Sequence, residues 1–436
     1  MGKLIKHKDL FRNMCLIIGH FVLVACGPVG SRDGNKVPTD SLGYVKNAIL
    51  CDQISKGHQT PADNFITMEE HTSKVAKDYF TRQGHFYNLP APRSYEHMQM
   101  TPDKPLVLND EFFKQEFSYA DSHMKDWIPE IQSELQSSSG PASPQSFNRS
   151  EFDQVKARLS AASQLAVRYK NYSCNLNDLA KRKKNDVRSY YKLQAMECDD
   201  HQNESCLETR LTHWKETDGE FYKDLLSMCS KVHSEALCMS MISFSKVKRE
   251  LLPFYKKLKK EFKRKVIDPL FLIESKTPHL SCSTNEEGKK VLSLNLVVSP
   301  NDVVRFAGGL YSALAYVESS WSTDNVKFKV NHLNAGDGLP RVRFEKGITS
   351  HVDSDTKSVI SLNTRLRGIA LTKTLAHEVG HVIGFKDCYV EFYDYEKESL
   401  IYYELDRNKG NIMCSLDRGY RAPDEYIDQL AQHYCQ

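Results

Sequence analysis

The 436-residue chain has no apolar run long enough for a stable transmembrane helix; only the N-terminus makes a short attempt at one. None of its 12 cysteines forms a CxxC pair, which argues against a metal site built from cysteine. Its net charge of +3 is too small to imply nucleic acid as a partner. No obvious basic cleavage site separates its two halves, so nothing in the sequence supports activation by processing. What is present is the composition of a globular protein, too long for one ordinary core. Two domains behind a targeting segment are expected.

Lys3, Lys6, Lys8 and Arg12 precede a short apolar stretch from Met14 to Ala25, the pattern of an export signal. The stretch ends in Leu23-Val24-Ala25-Cys26, which resembles the lipobox of bacterial lipoproteins. That resemblance implies removal of residues 1–25, acylation of Cys26 and attachment to a membrane through that lipid. The alternative is a plain signal peptide with an incidental cysteine. Gly27-Pro28 follows with no Asp, which by the same resemblance favours the outer membrane, on its periplasmic or cell-surface face. Residues 26–60, rich in Gly, Ser, Asp, Pro and Lys and without periodicity, read as the lipidated cysteine and a flexible tether. With Cys15 lost and Cys26 acylated, ten cysteines remain. An even number in an exported chain suits disulfides better than buried free thiols.

The expected fold is α+β, with a helical, disulfide-containing domain over residues 61–275 and a domain over 276–436 that carries a mixed sheet. Ile66 to Phe80, Asp110 to Gln136 and nearly all of Ser150 to Leu272 show apolar residues at three-four spacing, as in Phe152, Val155, Leu159, Ala162 and Leu165. Lys246 to Lys265 is heavily basic with apolar residues interleaved. It reads first as the solvated face of a packed helix, with Pro253 near its start or kinking it, and second as a membrane-surface or anionic-polymer site. After Pro278 the texture changes. Val291 to Val298 alternates as a strand that Pro300 stops, and Asn301-Asp302 can cap a helix running to about Ser320. Val326 to Val330, Val342 to Phe344 and Ser358 to Asn363 are further strands, and a helix from about Arg367 to Gly384 follows.

That helix carries His377-Glu378-Val379-Gly380-His381. Histidines four residues apart project from one helical face toward a common point, and zinc takes such nitrogens at about 2.0 Å. Glu378 lies beside that point rather than on it, where it can take a proton from metal-bound water. Gly384 suits a left-handed helix end that turns the chain back, and Asp387 arrives six residues after His381.

The run from His377 to Asp387 resembles the extended zinc motif HExxHxxGxx(H/D) of metzincin metallopeptidases, in the snapalysin-like form with Asp third. Asn411-Ile412-Met413-Cys414 resembles the turn whose Met underlies the metal in that clan. The resemblance implies a zincin-like fold for residues 276–436, one catalytic zinc ion held by His377, His381 and Asp387, and Glu378 as the catalytic base. Gly384 and Met413 would shape the site. Ser415 stands where many members carry a Tyr; Tyr402, Tyr403 or Tyr420 would have to substitute. Cys388 beside the third ligand and Cys414 beside the Met suggest a disulfide clamping the two loops, with Cys282 and Cys435 as competing partners. The rival third ligand is Glu404, the arrangement of gluzincins. By the same resemblance Ser358 to Asn363 would border the cleft and pair with an extended substrate; otherwise it is an ordinary sheet strand.

The expected function is therefore an exported zinc endopeptidase hydrolysing protein or peptide substrates. Two alternatives are a non-catalytic surface lipoprotein whose helical domain binds a partner, and a metal-dependent enzyme cleaving a non-peptide bond such as a cell-wall amide.

Overall fold

In the computed structural model, α1 (Pro61–Arg82) buries Phe65, Val75, Ala76, Tyr79 and Phe80 along one stripe. Thr60 and Asp63 form a capping box. The Thr60 hydroxyl accepts the Asp63 N–H, and the Asp63 carboxylate accepts the Thr60 N–H. Next come β1 (Leu106–Leu108), α2 (Asp110–Gln136), α3 (Arg149–Tyr172), α4 (Leu176–Lys181), α5 (Arg188–Ala195) and α6 (Leu207–Thr212). These are followed by α7 (Gly219–Ser230), α8 (Glu235–Val247) and α9 (Leu251–Phe262). Pro253 falls in the first turn of α9, where its missing N–H has no intrahelical partner to lose. It starts that helix rather than kinking it.

The second half opens with β2 (Leu280–Thr284), β3 (Lys290–Val298), α10 (Pro300–Ser320), β4 (Val326–Leu333), β5 (Arg341–Glu345) and β6 (His351–Val352). It continues through β7 (Val359–Asn363), α11 (Gly368–Val382), β8 (Tyr389–Asp394), β9 (Ser399–Glu404) and α12 (Asp424–Tyr434). The sheet is mixed: β3 runs parallel to β4 and β5 and antiparallel to β2, β5 is parallel to β7, and β6 closes the edge antiparallel to β7. Leu292, Leu294, Leu296 and Val298 share one fully buried face of β3, packed with Leu310, Val317, Trp321, Leu375 and Val379. The fold is thus α+β as expected.

The structure describes residues 60–82, 100–136, 149–172, 176–197, 206–212, 219–274, 276–345, 350–353, 356–364, 366, 368–406, 410–415 and 419–435, all within one compact unit, Ser41–Gln436. The export-signal, Cys26 and tether readings lie outside these residues, as do Cys51, Cys174 and Cys198. Among the described residues no helix is long and apolar enough to cross a membrane.

Two expectations are corrected. The strand ends before Pro300 as read, but that proline already belongs to the first turn of α10, with Ser299 as N-cap in place of Asn301-Asp302. The proline ring presets the helical φ there, so the helix starts earlier than the side-chain caps suggested. The strand before α11 is also not an edge. β7 pairs with β5 on one side and β6 on the other, so it is an interior strand and the rim belongs to β6.

The hairpin β8–β9 was not anticipated as a unit. It pairs through β9 with β1 and is buried on both faces. Tyr393, Leu400 and Tyr402 enter the core of α1–α4. Val390, Phe392, Ile401 and Tyr403 enter the core of α5–α9. Each set follows the two-residue period of a strand.

Disulfides join Cys229 to Cys238 between α7 and α8, Cys282 to Cys435 between β2 and the end of α12, and Cys388 to Cys414. Cys206 is disulfide-bonded as well.

Polar anchors also fix the hairpin. The Tyr403 hydroxyl donates to Asp186 Oδ1 at 2.8 Å and accepts the Val187 N–H at 2.8 Å, while Arg188 grips Asp186 through two nitrogens. Burial alone would raise the Asp186 carboxyl, but Arg188 and Tyr403 hold it below the usual range. A depressed folded-state pKa contributes stability above the unfolded value, about 4, and loses it as pH falls through the folded one. Urea midpoints should therefore fall less steeply for Asp186→Asn than for the parent as pH drops from about 5 toward 3. Equal slopes would show that Asp186 makes no such contribution.

Candidate metal centre

Three elements build the centre: the last turns of α11, the loop to β8 and the turn around Met413. α11 ends in a Schellman motif, in which Phe385 N–H donates to Gly380 O at 3.0 Å and Gly384 N–H to His381 O at 3.1 Å. Gly384 has φ 109°, which an L side chain rarely adopts. The turn sends the chain back, and Asp387 Oδ1 comes to rest 3.1 Å from His377 Nε2 and 3.2 Å from His381 Nε2.

Backbone carbonyls fix both rings. His377 Nδ1 lies 2.8 Å from Ile412 O and His381 Nδ1 2.9 Å from Phe385 O. A carbonyl only accepts, so each Nδ1 is the protonated nitrogen, leaving Nε2 as a ligand lone pair in the neutral ring. The ligand atoms of His377, His381 and Asp387 all lie within 4.8 Å of one another. Metal–ligand bonds of about 2.0–2.1 Å give a tetrahedron with edges of roughly 3.3 Å. The two Asp–His separations match that edge. Asp387 Oδ1 and Glu378 Oε2 are buried atoms without a hydrogen-bond partner. Buried polar atoms are normally paired, so these two point to a ligand between them. The donor set therefore fits a divalent cation.

No family model, curated protein or solved structure matches this chain.

Glu378 is 4% exposed, and burial pushes its carboxyl up; the charges of His377 and His381 counter part of that, and His351 on β6 acts in the same direction. Burial opposes charge on His381, yet Asp387 beside it pushes the imidazole up to about 9. Asp387, despite its own burial, is held far below the usual carboxylate range by the two histidines. Asp387 and His381 thus favour each other's charged form.

The Met413 turn closes the floor. Asn411 organises it, with Oδ1 accepting Met413 N–H at 3.0 Å, and the Met413 carbonyl accepts Cys388 N–H at 3.2 Å. Cys388 and Cys414, with Cα atoms 4.4 Å apart, cross-link the ligand loop to this turn. Met413 is fully buried, and a Cβ on Gly380 would collide with its Sδ and come within 2.8 Å of Trp321. Gly380→Ala should therefore cost about 1–3 kcal/mol by overpacking, seen as a lower melting temperature. An unchanged value would mean Met413 moves freely.

The structure brings together His377, His381, Asp387, Glu378, Gly384, Met413 and the Cys388–Cys414 pair. It does not bring Glu404 to them as a ligand: Glu404 ends β9, buried, and accepts from the Tyr402 hydroxyl. Among the tyrosines held in reserve, Tyr403 points at Asp186 and Tyr420 is 60% exposed over Gly410. Tyr402 packs against Tyr389 with the rings tilted by 41° and their centroids 5.4 Å apart.

Tyr389 is the residue sequence reasoning missed. Its ring centroid lies 6.2 Å from that of His377. Burial first, and then the Asp387 charge, raise its phenol well above the ordinary value, so it stays protonated. Its position two residues past Asp387 was the available signal, lost among the aromatics of the hairpin. Behind it, Glu391 accepts two hydrogen bonds from Arg168 of α3, at 2.6 and 2.8 Å, and one from Tyr172 at 2.9 Å. The helical half thus reaches within two residues of Tyr389.

Proposed function

We propose that this chain is a zinc-dependent peptidase with a metzincin-like site, in which His377, His381 and Asp387 hold the metal and Glu378 is the base. The observation that carries the reading is the convergence of two imidazole Nε2 atoms on Asp387 Oδ1, each at the edge length of a tetrahedral site, beside a buried Glu378 oxygen without a hydrogen-bond partner. Bound there, zinc supplies Lewis acidity toward a water and a substrate carbonyl. Glu378, its pKa raised by burial, accepts the proton of the attacking water and passes it to the leaving amine. Tyr389, half-buried and protonated, offers a hydrogen-bond donor beside His377.

The supporting features beyond the ligands are Gly384, the Met413 turn and its close fit on Gly380. An export signal, acylation at Cys26 and an outer-membrane location belong to the same proposal and rest on the N-terminal sequence. Casein or a peptide library incubated with the purified chain, with and without chelator, tests the activity; metal analysis tests the ion. Cleavage abolished by chelator and restored by zinc is the expected result. Two histidines and one carboxylate also suit ferrous iron, so iron in place of zinc with no cleavage would overturn the proposal. Metal added at about a thousand times its dissociation constant should raise stability by about 4 kcal/mol, read as a shift in melting temperature.

A further inference from the structure

α8 presents a solvent face without charge between its ends. Cys238, Ile242 and Ser245 point inward, while Leu237, Met239, Phe244 and Val247 are 49%, 47%, 60% and 80% exposed. At 100° per residue these four share the outward side with Ala236, Ser240 and Ser243. Helices on a protein surface ordinarily turn charged residues that way. Isolated exposed apolar side chains are common, but four on one helical face form a patch.

The far end of the patch is basic. Lys246, Lys248 and Arg249 surround Val247, and α9 exposes Lys256, Lys257 and Lys260; residues 246–265 hold ten basic and two acidic side chains. Lys248 Nζ sits 5.8 Å from the Phe244 ring, so charge and apolar surface are contiguous. The tip is fixed in shape. Arg249, at φ 59°, takes the left-handed position that ends α8, and Glu250 N–H donates to Ser245 O at 2.8 Å. The Cys229–Cys238 disulfide ties the other end to α7. The inward apolar residues of α9 are committed elsewhere: Leu251, Tyr255, Leu258 and Phe262 are buried in the helical core. As the sequence suggested, α9 is a packed helix with a solvated basic face. The apolar surface that is free belongs to α8.

We infer that the α8 tip is a membrane-docking surface, with Phe244 and Val247 entering the headgroup–acyl boundary of an anionic bilayer and Lys248 and Arg249 engaging its phosphates. Apolar insertion next to clustered cations is the combination that favours a lipid surface over a nucleic acid, which would use the charge and leave Val247 in water. The inference does not depend on the metal centre or on acylation.

Full-length chain carrying Cys26→Ser, and so without an acyl anchor, is sedimented with vesicles of phosphatidylcholine alone or mixed with about one-third phosphatidylglycerol. Binding to the anionic vesicles is expected, weaker at high salt. It should fall about tenfold in Phe244→Ser/Val247→Ser and comparably in Lys248→Gln/Arg249→Gln. These side chains are exposed, so unchanged melting temperatures should accompany the loss. Equal binding to neutral vesicles, or binding indifferent to both variants, overturns the inference. So does a parent chain that dimerises in a Phe244-dependent way, because the patch would then be covered by a second copy.

Discussion

Glu378→Ala is expected to lower peptide hydrolysis by roughly a thousandfold while metal content stays near that of the parent. Glu378 contributes no atom to the ligand cluster, and its backbone is held by α11 whatever its side chain. Its Oε2 is buried without a partner, so truncation removes no hydrogen bond from that oxygen. Stability should hold or rise slightly, since a buried carboxylate costs desolvation energy. His377→Ala separates the roles, because it should lose both metal and activity. Activity retained in Glu378→Ala would remove the proposed base, and with it the mechanism.

The second large effect is on structure. Arg168→Ala should destabilise the protein by about 3 kcal/mol, because it strands Glu391 at 2% exposure with half its partners gone. Arg168 lies in α3 and Glu391 in β8, four residues past Asp387, so the loss should also weaken metal binding, measured by competition with a chromophoric chelator. Arg168→Lys should recover only part of the stability, since an ammonium cannot reproduce the bidentate fork. Replacing both partners, as in Arg168→Met/Glu391→Leu, should restore much of it. Chemical denaturation reads all three. A neutral Arg168→Ala would mean that the hairpin is held by its apolar faces alone.

The legibility of this chain followed the range of the interactions. The limits of α2 are those the apolar spacing marked, Asp110 to Gln136, because helical periodicity is written within a few residues. β3 was readable for the same reason: alternation and β-branching are local. The hairpin was not. Its residues are buried on both faces, so no polar side exposes a strand rhythm, and its partners are helices far away in sequence, as the Arg168–Glu391 separation of 223 shows. β6 has two residues, too few for any pattern. At the centre, His377, Glu378, His381, Gly384 and Asp387 were legible because one helix and one turn hold them all.

By itself the sequence marked His377, His381 and Asp387 as candidate ligands, since 3.6 residues per turn and one left-handed glycine are enough to aim them at a point. Tertiary structure alone decided the rest. Gly380 is required by Met413, which approaches from another loop; Cys388 pairs with Cys414 and Cys282 with Cys435; and Tyr389, rather than the tyrosines further on, stands beside the histidines. Those outcomes depend on which distant surfaces are buried together, and burial is a property of the whole packed chain that no short window of residues contains.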